Sequence, residues 1–258
     1  MSSASPGTPP PEQQEMPLIE HLLELRNRLL KMVLAVLVCF AVLFPFRNEL
    51  YLIMAGPLME LLPVGQSMIA TDITATFFAP MKLALVLAVF VAIPVILYQL
   101  WSFIAPGLYA HEKRLAFPLL FSSILLFYLG AVFAYYVVFP LVFGFFTAIG
   151  PEGIVELPDI TSYLNFVLKM FFAFGVAFEI PIATVLMILS GATTPQELSA
   201  KRPYVVVGCF IIGMLLTPPD LISQTLLAVP MWLLFEIGVL CGRLAVRNRP
   251  DDGYPDDV

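Results

Sequence analysis

Charged residues are scarce in this sequence of 258 residues: Asp, Glu, Lys and Arg together make up 12%, against 60% hydrophobic residues. A soluble globular chain is about a quarter charged and about half apolar. With a mean hydropathy of +0.92, most of the chain is therefore expected to have lipid as its solvent. The net charge of −6 and the lack of a basic patch argue against a nucleic acid partner.

Cysteine and histidine are also scarce, with three cysteines (Cys39, Cys209 and Cys241) and two histidines (His21 and His111). Each cysteine lies alone in or beside an apolar run, which argues against a disulfide framework. Without a Cys/His cluster, we expect no metal site and no cofactor.

The sequence lacks the short motifs that carry nucleotide or hydrolytic chemistry. It contains no GxxxxGK[ST] loop, no HExxH and no GxSxG. We therefore expect neither ATP-driven work nor an enzymatic activity.

Six apolar runs are present instead, and a bilayer is crossed by about 20 apolar residues in a helix. They predict an all-α, polytopic membrane protein with spans at residues 29–44, 81–103, 115–140, 165–189, 204–216 and 221–241. An amphipathic interfacial helix is predicted at 17–28, at the start of a transmembrane domain over 17–242. Residues 1–16 and 243–258 are expected to be cytosolic tails, the first of them disordered.

The distribution of lysine and arginine predicts the orientation of these spans. If six spans alternate, ten basic residues fall on one side: Arg26, Arg28, Lys31, Lys113, Arg114, Lys201, Arg202, Arg243, Arg247 and Arg249. We therefore expect both termini in the cytosol, in an inner-membrane protein.

Local signals mark the ends of the later helices. The residues Thr194-Pro195-Gln196-Glu197 form a predicted capping box that begins a short helix. The double proline at 218–219 ends the fifth span, and Asp220 could cap the sixth. The fifth span, 204–216, rises only about 20 Å, so we expect local thinning of the bilayer beside it.

Two acids on the positive side suggest a binding site for basic groups. Glu112 lies in a loop with aromatic residues, and a second carboxylate, Glu24, is expected near it. Two carboxylates with adjacent aromatic rings suit a pair of arginines. Alternatives remain open at this stage. Glu24 could form an intrahelical ion pair with Arg28, and Glu112 could be a solvated acid beside Lys113 and Arg114.

Glu179 lies inside an apolar run, two residues before Pro181. An acid at membrane depth is costly and by default faces a partner or a wet cavity. Lys169 has the wrong helical phase to pair with it. Glu236 could be functional or merely interfacial, and the sequence leaves this open.

Met214, Thr217 and Gln224 surround the turn between spans five and six. Their polar groups could bond another helix within the membrane. Local capping by Thr217 and surface exposure of Gln224 are the alternative.

The sequence resembles the TatC family, the large membrane subunit of the twin-arginine protein translocase, from Pro17 to about Arg243. The segments that carry the resemblance are HLLELRNRLL, MIATDITATFFAPMKL, PVILYQLWSFIAPGLYAHEKR, FYLGAVFAYYVVFP, FAFGVAFEIP, KRPYVVVG and GMLLTPPDLISQTLLAVPM. The resemblance implies six spans arranged as a concave cup, with both ends cytosolic. It also implies that the chain binds twin-arginine signal peptides of folded proteins, works with TatA and TatB and other TatC copies, and uses the proton-motive force.

The resemblance also implies roles for individual residues. The signal-peptide site would be formed by Glu24, Arg26, Phe103 and Glu112. Glu179 would be the acid in the cup, and Pro57 and Asp220 would serve on the outer side. Partner helices would dock at Met214, Thr217 and Gln224. A proton-coupled small-solute carrier, with Glu179 titrating during transport, is the alternative, and an intramembrane enzyme would lack a nucleophile.

Overall fold

The computed structural model describes residues 18–60, 68–104, 113–149, 158–216 and 221–247. Within these ranges the chain is helical, apart from turns and a single parallel bridge between Ile69 and Asp159. The helices are α1 (Leu18–Leu43), α2 (Arg47–Met59), α3 (Ala75–Ile104), α4 (Lys113–Phe133), α5 (Phe139–Ile149), α6 (Ile160–Ala177), α7 (Ile180–Leu189), α8 (Pro195–Ala200), α9 (Arg202–Leu216) and α10 (Leu221–Arg247).

The described helices confirm the predicted all-α class. Five segments are long and apolar enough to cross a membrane: Leu22–Gly56, Ala75–Phe103, Phe117–Phe145, Ile160–Leu189 and Gln224–Val246. The shorter apolar helix α9 supplies the sixth. It has 15 residues and so rises about 22 Å. Thinning of the bilayer beside it stays a prediction.

The first span is longer than the sequence indicated. The predicted interfacial helix and the predicted span 29–44 form one uninterrupted helix, α1, because neither proline nor glycine separates them. After a 3₁₀ turn at Phe44–Phe46 the chain continues as α2. Pro45 lies in the first turn of that 3₁₀ segment, where its missing N–H costs no hydrogen bond, so it does not end the apolar run.

Prolines also shape the third and fourth spans. A π-helical turn at Ala134–Val138 precedes Pro140 and joins α4 to α5. Between α6 and α7, Phe178 and Glu179 form a turn just before Pro181. The fourth span is therefore two helices with Glu179 at their junction.

The core lies where α6 meets α3, α4 and α5, and it is built largely of aromatic rings. Phe90, Phe127, Phe139, Phe171 and Phe174 are all buried. The ring centroids of Phe90 and Phe127, and those of Phe139 and Phe171, are 5.1 Å apart in tilted or edge-on arrangements. This packing holds α6 and α7 at the centre, with α1 against α3 and α10 against α7 and α9.

Candidate functional site

Glu24 lies on α1 with its side chain 45% exposed, and it is paired with Arg28 one turn further on. Nε and one terminal nitrogen of Arg28 donate to Oε1 of Glu24, at 3.0 and 2.5 Å. The intrahelical ion pair that the sequence left open is therefore present. Both bonds end on Oε1. Within the described part of the chain no donor reaches Oε2, so that oxygen can accept a further hydrogen bond.

Arg28 also ties this acid to the end of α3. It donates to the backbone carbonyl of Ser102 at 3.2 Å and to that of Gln99 at 3.4 Å. The Ser102 carbonyl belongs to the last four of α3, which lack intrahelical partners, and Arg28 supplies one. The half-buried Phe103 follows Ser102 directly, so Glu24 and Phe103 are brought to the same end of the molecule.

A shallow cavity of about 430 Å³ opens beside Glu24, lined by Leu23, Glu24, Asn27, Arg28 and Lys31. Arg26 is exposed and donates to Asn27 at 3.3 Å, not to Glu24. Glu112, the second predicted acid, lies outside the described residues. The cavity therefore offers one open hydrogen-bond acceptor, Oε2 of Glu24, with the positive side chains of Arg28 and Lys31 beside it.

Glu179 is the N-cap residue of α7, but its side chain does not cap that helix. Its Oε2 accepts a hydrogen bond from the buried Ser123 on α4, at 2.5 Å. Its Oε1 is buried and has no hydrogen-bond partner among the described residues. An unsatisfied acceptor at membrane depth is costly, so this atom is suited to a donor from outside the chain.

A groove of about 900 Å³ runs between α3, α6, α7, α9 and α10. Its wall is mostly apolar, and Lys82, Asn165 and Lys169 are its polar members. Glu179 is not part of this lining, although the next residue, Ile180, is. The pattern of apolar runs did not predict this groove. The signal available was the presence of two lysines, Lys82 and Lys169, inside apolar runs.

Two of the predicted docking residues, Met214 and Gln224, lie on α9 and α10, which pack against each other. Met214 is exposed on α9, and Gln224 is half-buried on α10. A Cβ added at Gly213 would lie only 3.4 Å from the carbonyl oxygen of Gln224, so the helices approach closely here. Thr217 and Asp220 lie outside the described residues, and Pro57 belongs to α2.

Glu236 on α10 has a partner that sequence spacing could not reveal. Its Oε2 accepts a hydrogen bond from a terminal nitrogen of Arg202, at the start of α9, at 2.7 Å. Its Oε1 lies 2.7 Å from Nε of the same guanidinium, an ion-pair contact without hydrogen-bond geometry. Further along α10, Arg243 donates to the hydroxyl of Ser199 on α8 at 2.6 Å. These contacts fix α8 and α9 on α10, so a structural role explains Glu236.

Asp159 caps the N-terminal end of α6, at the end of this helix away from Glu179. Its carboxylate accepts from the backbone N–H groups of Thr161 and Ser162 and from the N–H and hydroxyl of Thr71. These donors hold the pKa of Asp159 well below its usual range. The carboxylate therefore joins the segment after α2 to the N-terminus of α6 in its charged form.

The predicted capping box at the start of α8 is confirmed. The Thr194 hydroxyl accepts from the backbone of Glu197, whose carboxylate accepts from the backbone of Thr194. Hydrogen bonds from Thr194 and Thr193 lower the pKa of Glu197.

Fold and site together define a class: a polytopic α-helical membrane protein with an acid held at one helix end, a buried acid at a helix junction, and apolar grooves between its helices. No group of His, Cys, Asp or Glu suited to a metal occurs in the described ranges. Such features are those of a protein that binds other chains within and beside the bilayer.

The comparisons with known proteins identify the family. Residues 20–230 match the profile of TatC, the Sec-independent protein translocase protein. The chain is 57% identical over 247 residues to the TatC of Azotobacter chroococcum mcd 1, covering 96% of each chain. It is 54% identical over 242 residues to the TatC of Escherichia coli K12, covering 93% of this chain and 94% of that one.

A solved structure agrees with this. The crystal structure of the twin arginine translocase receptor TatC superimposes with a TM-score of 0.79 at 41% identity, covering 88% of this chain and all of that one. The chain therefore belongs to the TatC family of protein translocase subunits. This confirms the resemblance seen in the sequence, and it favours a translocase over the solute-carrier alternative.

Proposed function

We propose that the chain is the core receptor subunit of the Sec-independent translocase and binds twin-arginine signal peptides at the cytosolic face. One observation carries the proposal: Arg28 fixes Glu24 against the end of α3, with one carboxylate oxygen left open and Phe103 close in sequence to the anchoring carbonyls.

This geometry suits arginine better than lysine. A guanidinium is planar, offers several donors in a fixed fork and stacks on aromatic rings, whereas an ammonium is a compact point charge. Arg28 already shows that Glu24 accepts a guanidinium. A second guanidinium, from the signal peptide, would find Oε2 of Glu24 and the ring of Phe103. Arg26 and Glu112 complete the proposed site.

The apolar part of the signal peptide would then lie along the spans. The unsatisfied Oε1 of Glu179 offers a hydrogen bond to a signal or partner helix that reaches the α6–α7 junction. TatA and TatB would dock at Met214, Thr217 and Gln224, and Pro57 and Asp220 would act on the outer side. The amide of Gln224, half-buried on α10, can hydrogen-bond a partner helix there within the membrane.

Location and energy source complete the proposal. The basic residues on one side favour an inner-membrane protein with cytosolic termini. Since the sequence has no nucleotide-binding loop, we propose the proton-motive force as the energy source. Further copies of the chain would take part in the complex.

Site-specific photocrosslinking tests the recognition step. A photoreactive residue in place of Phe103 should crosslink a twin-arginine signal peptide in inner-membrane vesicles. Replacing both arginines of the peptide by lysine should remove most of the product. The matched control is the same residue in place of Phe46, an exposed phenylalanine in the 3₁₀ turn that follows α1. Equal crosslinking of both peptides at position 103, or equal crosslinking from both positions, would contradict the proposal.

A further inference from the structure

The large groove holds a paired-lysine site that signal-peptide recognition does not use. Lys82 on α3 donates from Nζ to Oδ1 of Asn165 on α6, at 2.6 Å. Lys169 lies four residues after Asn165, so the two side chains are neighbours on one helix face. All three line the same groove. One ammonium group therefore binds the amide, and a second lies on the same helix face in the same groove.

Neither ammonium group is neutralised from within the described part of the chain. The ion pairs found there are Glu24–Arg28 and Arg202–Glu236, so no carboxylate lies within 4.0 Å of either lysine. Two like charges near a low-dielectric surface repel each other, and an anion between them removes the repulsion. The site thus calls for an anionic ligand.

The rest of the groove is apolar and suits a hydrocarbon chain. Beyond the lysines its wall is apolar, formed by residues such as Val86, Phe172, Val176, Ile212 and Leu216. A ligand that is charged at one end and apolar along the rest matches this pattern.

The depth of the lysines fits the level of a lipid headgroup. At 1.5 Å per residue, Lys82 lies roughly 10 Å along α3 from its start and Lys169 roughly 14 Å along α6. Long lysine side chains extend from such depths towards the interface. A transmembrane helix would have to carry its acid into the hydrocarbon to reach them, which is costly. A phospholipid carries its charge at the interface already.

We propose that this groove binds an anionic phospholipid, with its phosphate held by Lys82, Lys169 and Asn165 and an acyl chain along the groove. The lipid neutralises the lysine pair and covers the apolar wall between α3, α6 and α9. This proposal does not depend on the signal-peptide site.

Fluorescence quenching tests the proposal in nanodiscs. The variant Phe172→Trp places a reporter in the groove, and the same protein without it supplies the background from Trp101 and Trp232. The nanodiscs contain phosphatidylcholine with a minor fraction of brominated phosphatidylglycerol or brominated phosphatidylcholine. Brominated phosphatidylglycerol should quench the reporter more strongly than brominated phosphatidylcholine at equal fraction.

Variants of the lysines give the decisive comparison. Lys82→Gln with Lys169→Gln should weaken apparent phosphatidylglycerol binding by roughly thirtyfold, since each lysine near an anionic lipid contributes about fivefold. Lys82→Arg with Lys169→Arg should retain it. Arg47→Gln with Lys201→Gln removes the same charge outside the groove and outside the cavity beside Glu24, and should leave quenching unchanged.

Three results would overturn the proposal. One is equal quenching by the two brominated lipids, and another is an unchanged lipid preference in the double glutamine variant. The third is displacement of the brominated lipid by a single-span peptide that bears one glutamate, with the same dependence on the lysines, because it would assign the groove to a helix.

Discussion

Gly238 lies on α10 where that helix packs on α7, and alanine at this position tests the packing directly. An added Cβ would lie 2.8 Å from Cα of Pro181 and 3.0 Å from Cβ and Oγ1 of Thr184. Ordinary contacts of a Cβ atom begin near 3.4 Å, so the helices would have to separate by about 0.6 Å, the difference between 3.4 and 2.8 Å. Because Pro181 meets the Cβ with a backbone atom, no rotamer change relieves the clash.

Gly208 on α9 is the matched control, since nothing lies within 4 Å of a Cβ added there. Alanine stabilises a helix interior by about 1 kcal/mol relative to glycine, and both variants gain this. Only Gly238→Ala also incurs an overpacking cost of about 1–3 kcal/mol. The difference in unfolding free energy between the two variants therefore measures the close approach of α10 to α7.

Unfolding by SDS from mild detergent micelles, followed by far-UV circular dichroism, measures that difference. We expect Gly208→Ala to unfold at a higher SDS fraction than the parent, and Gly238→Ala at a lower one than Gly208→Ala. Equal midpoints for the two variants would refute the inferred close approach of these helices.

The remaining predictions concern polar contacts at helix ends. The lowered pKa of Asp159 means that its charged form stabilises the fold above the usual carboxyl pKa, near 4, and that this stabilisation is lost as the pH falls further. Asp159→Asn should thus be less stable than the parent at pH 7, with the gap closing below about pH 4 in acid titrations; a gap independent of pH would contradict this. Arg202→Gln should cost about 1 kcal/mol in the SDS assay, and adding Glu236→Gln should restore part of it, whereas additive losses would show that the pair does not couple. Thr194→Ala should speed hydrogen exchange of the amide of Glu197, and unchanged exchange would argue against the capping box.

The sequence was sufficient where a local pattern determines the structure. Apolar runs predicted the spans, and Thr194 with Glu197 predicted the start of α8. Proline was a less certain guide. Pro181 lies just after a true helix break, whereas Pro45 permits the chain to continue into α2, because the cost of proline depends on its position within a turn.

Contacts between distant parts of the chain could not be predicted in this way. The i,i+4 spacing offered the Glu24–Arg28 pair as one of two alternatives, and it gave no sign of the bonds from Arg28 to carbonyls more than seventy residues away. Likewise, Glu179 was identified as an acid in need of a partner, and only helix packing shows that Ser123 supplies one hydrogen bond. The roles of the predicted site residues remain predictions.

The central claim is that Glu24 recognises arginine, and a thermodynamic cycle tests it most directly. Affinities of a fluorescent twin-arginine signal peptide and of its double-lysine counterpart are measured against the parent protein and Glu24→Gln in nanodiscs. We predict that lysine replacement weakens binding to the parent about tenfold or more, equivalent to about 1.4 kcal/mol, and weakens binding to Glu24→Gln far less. An equal loss in both proteins would contradict the account.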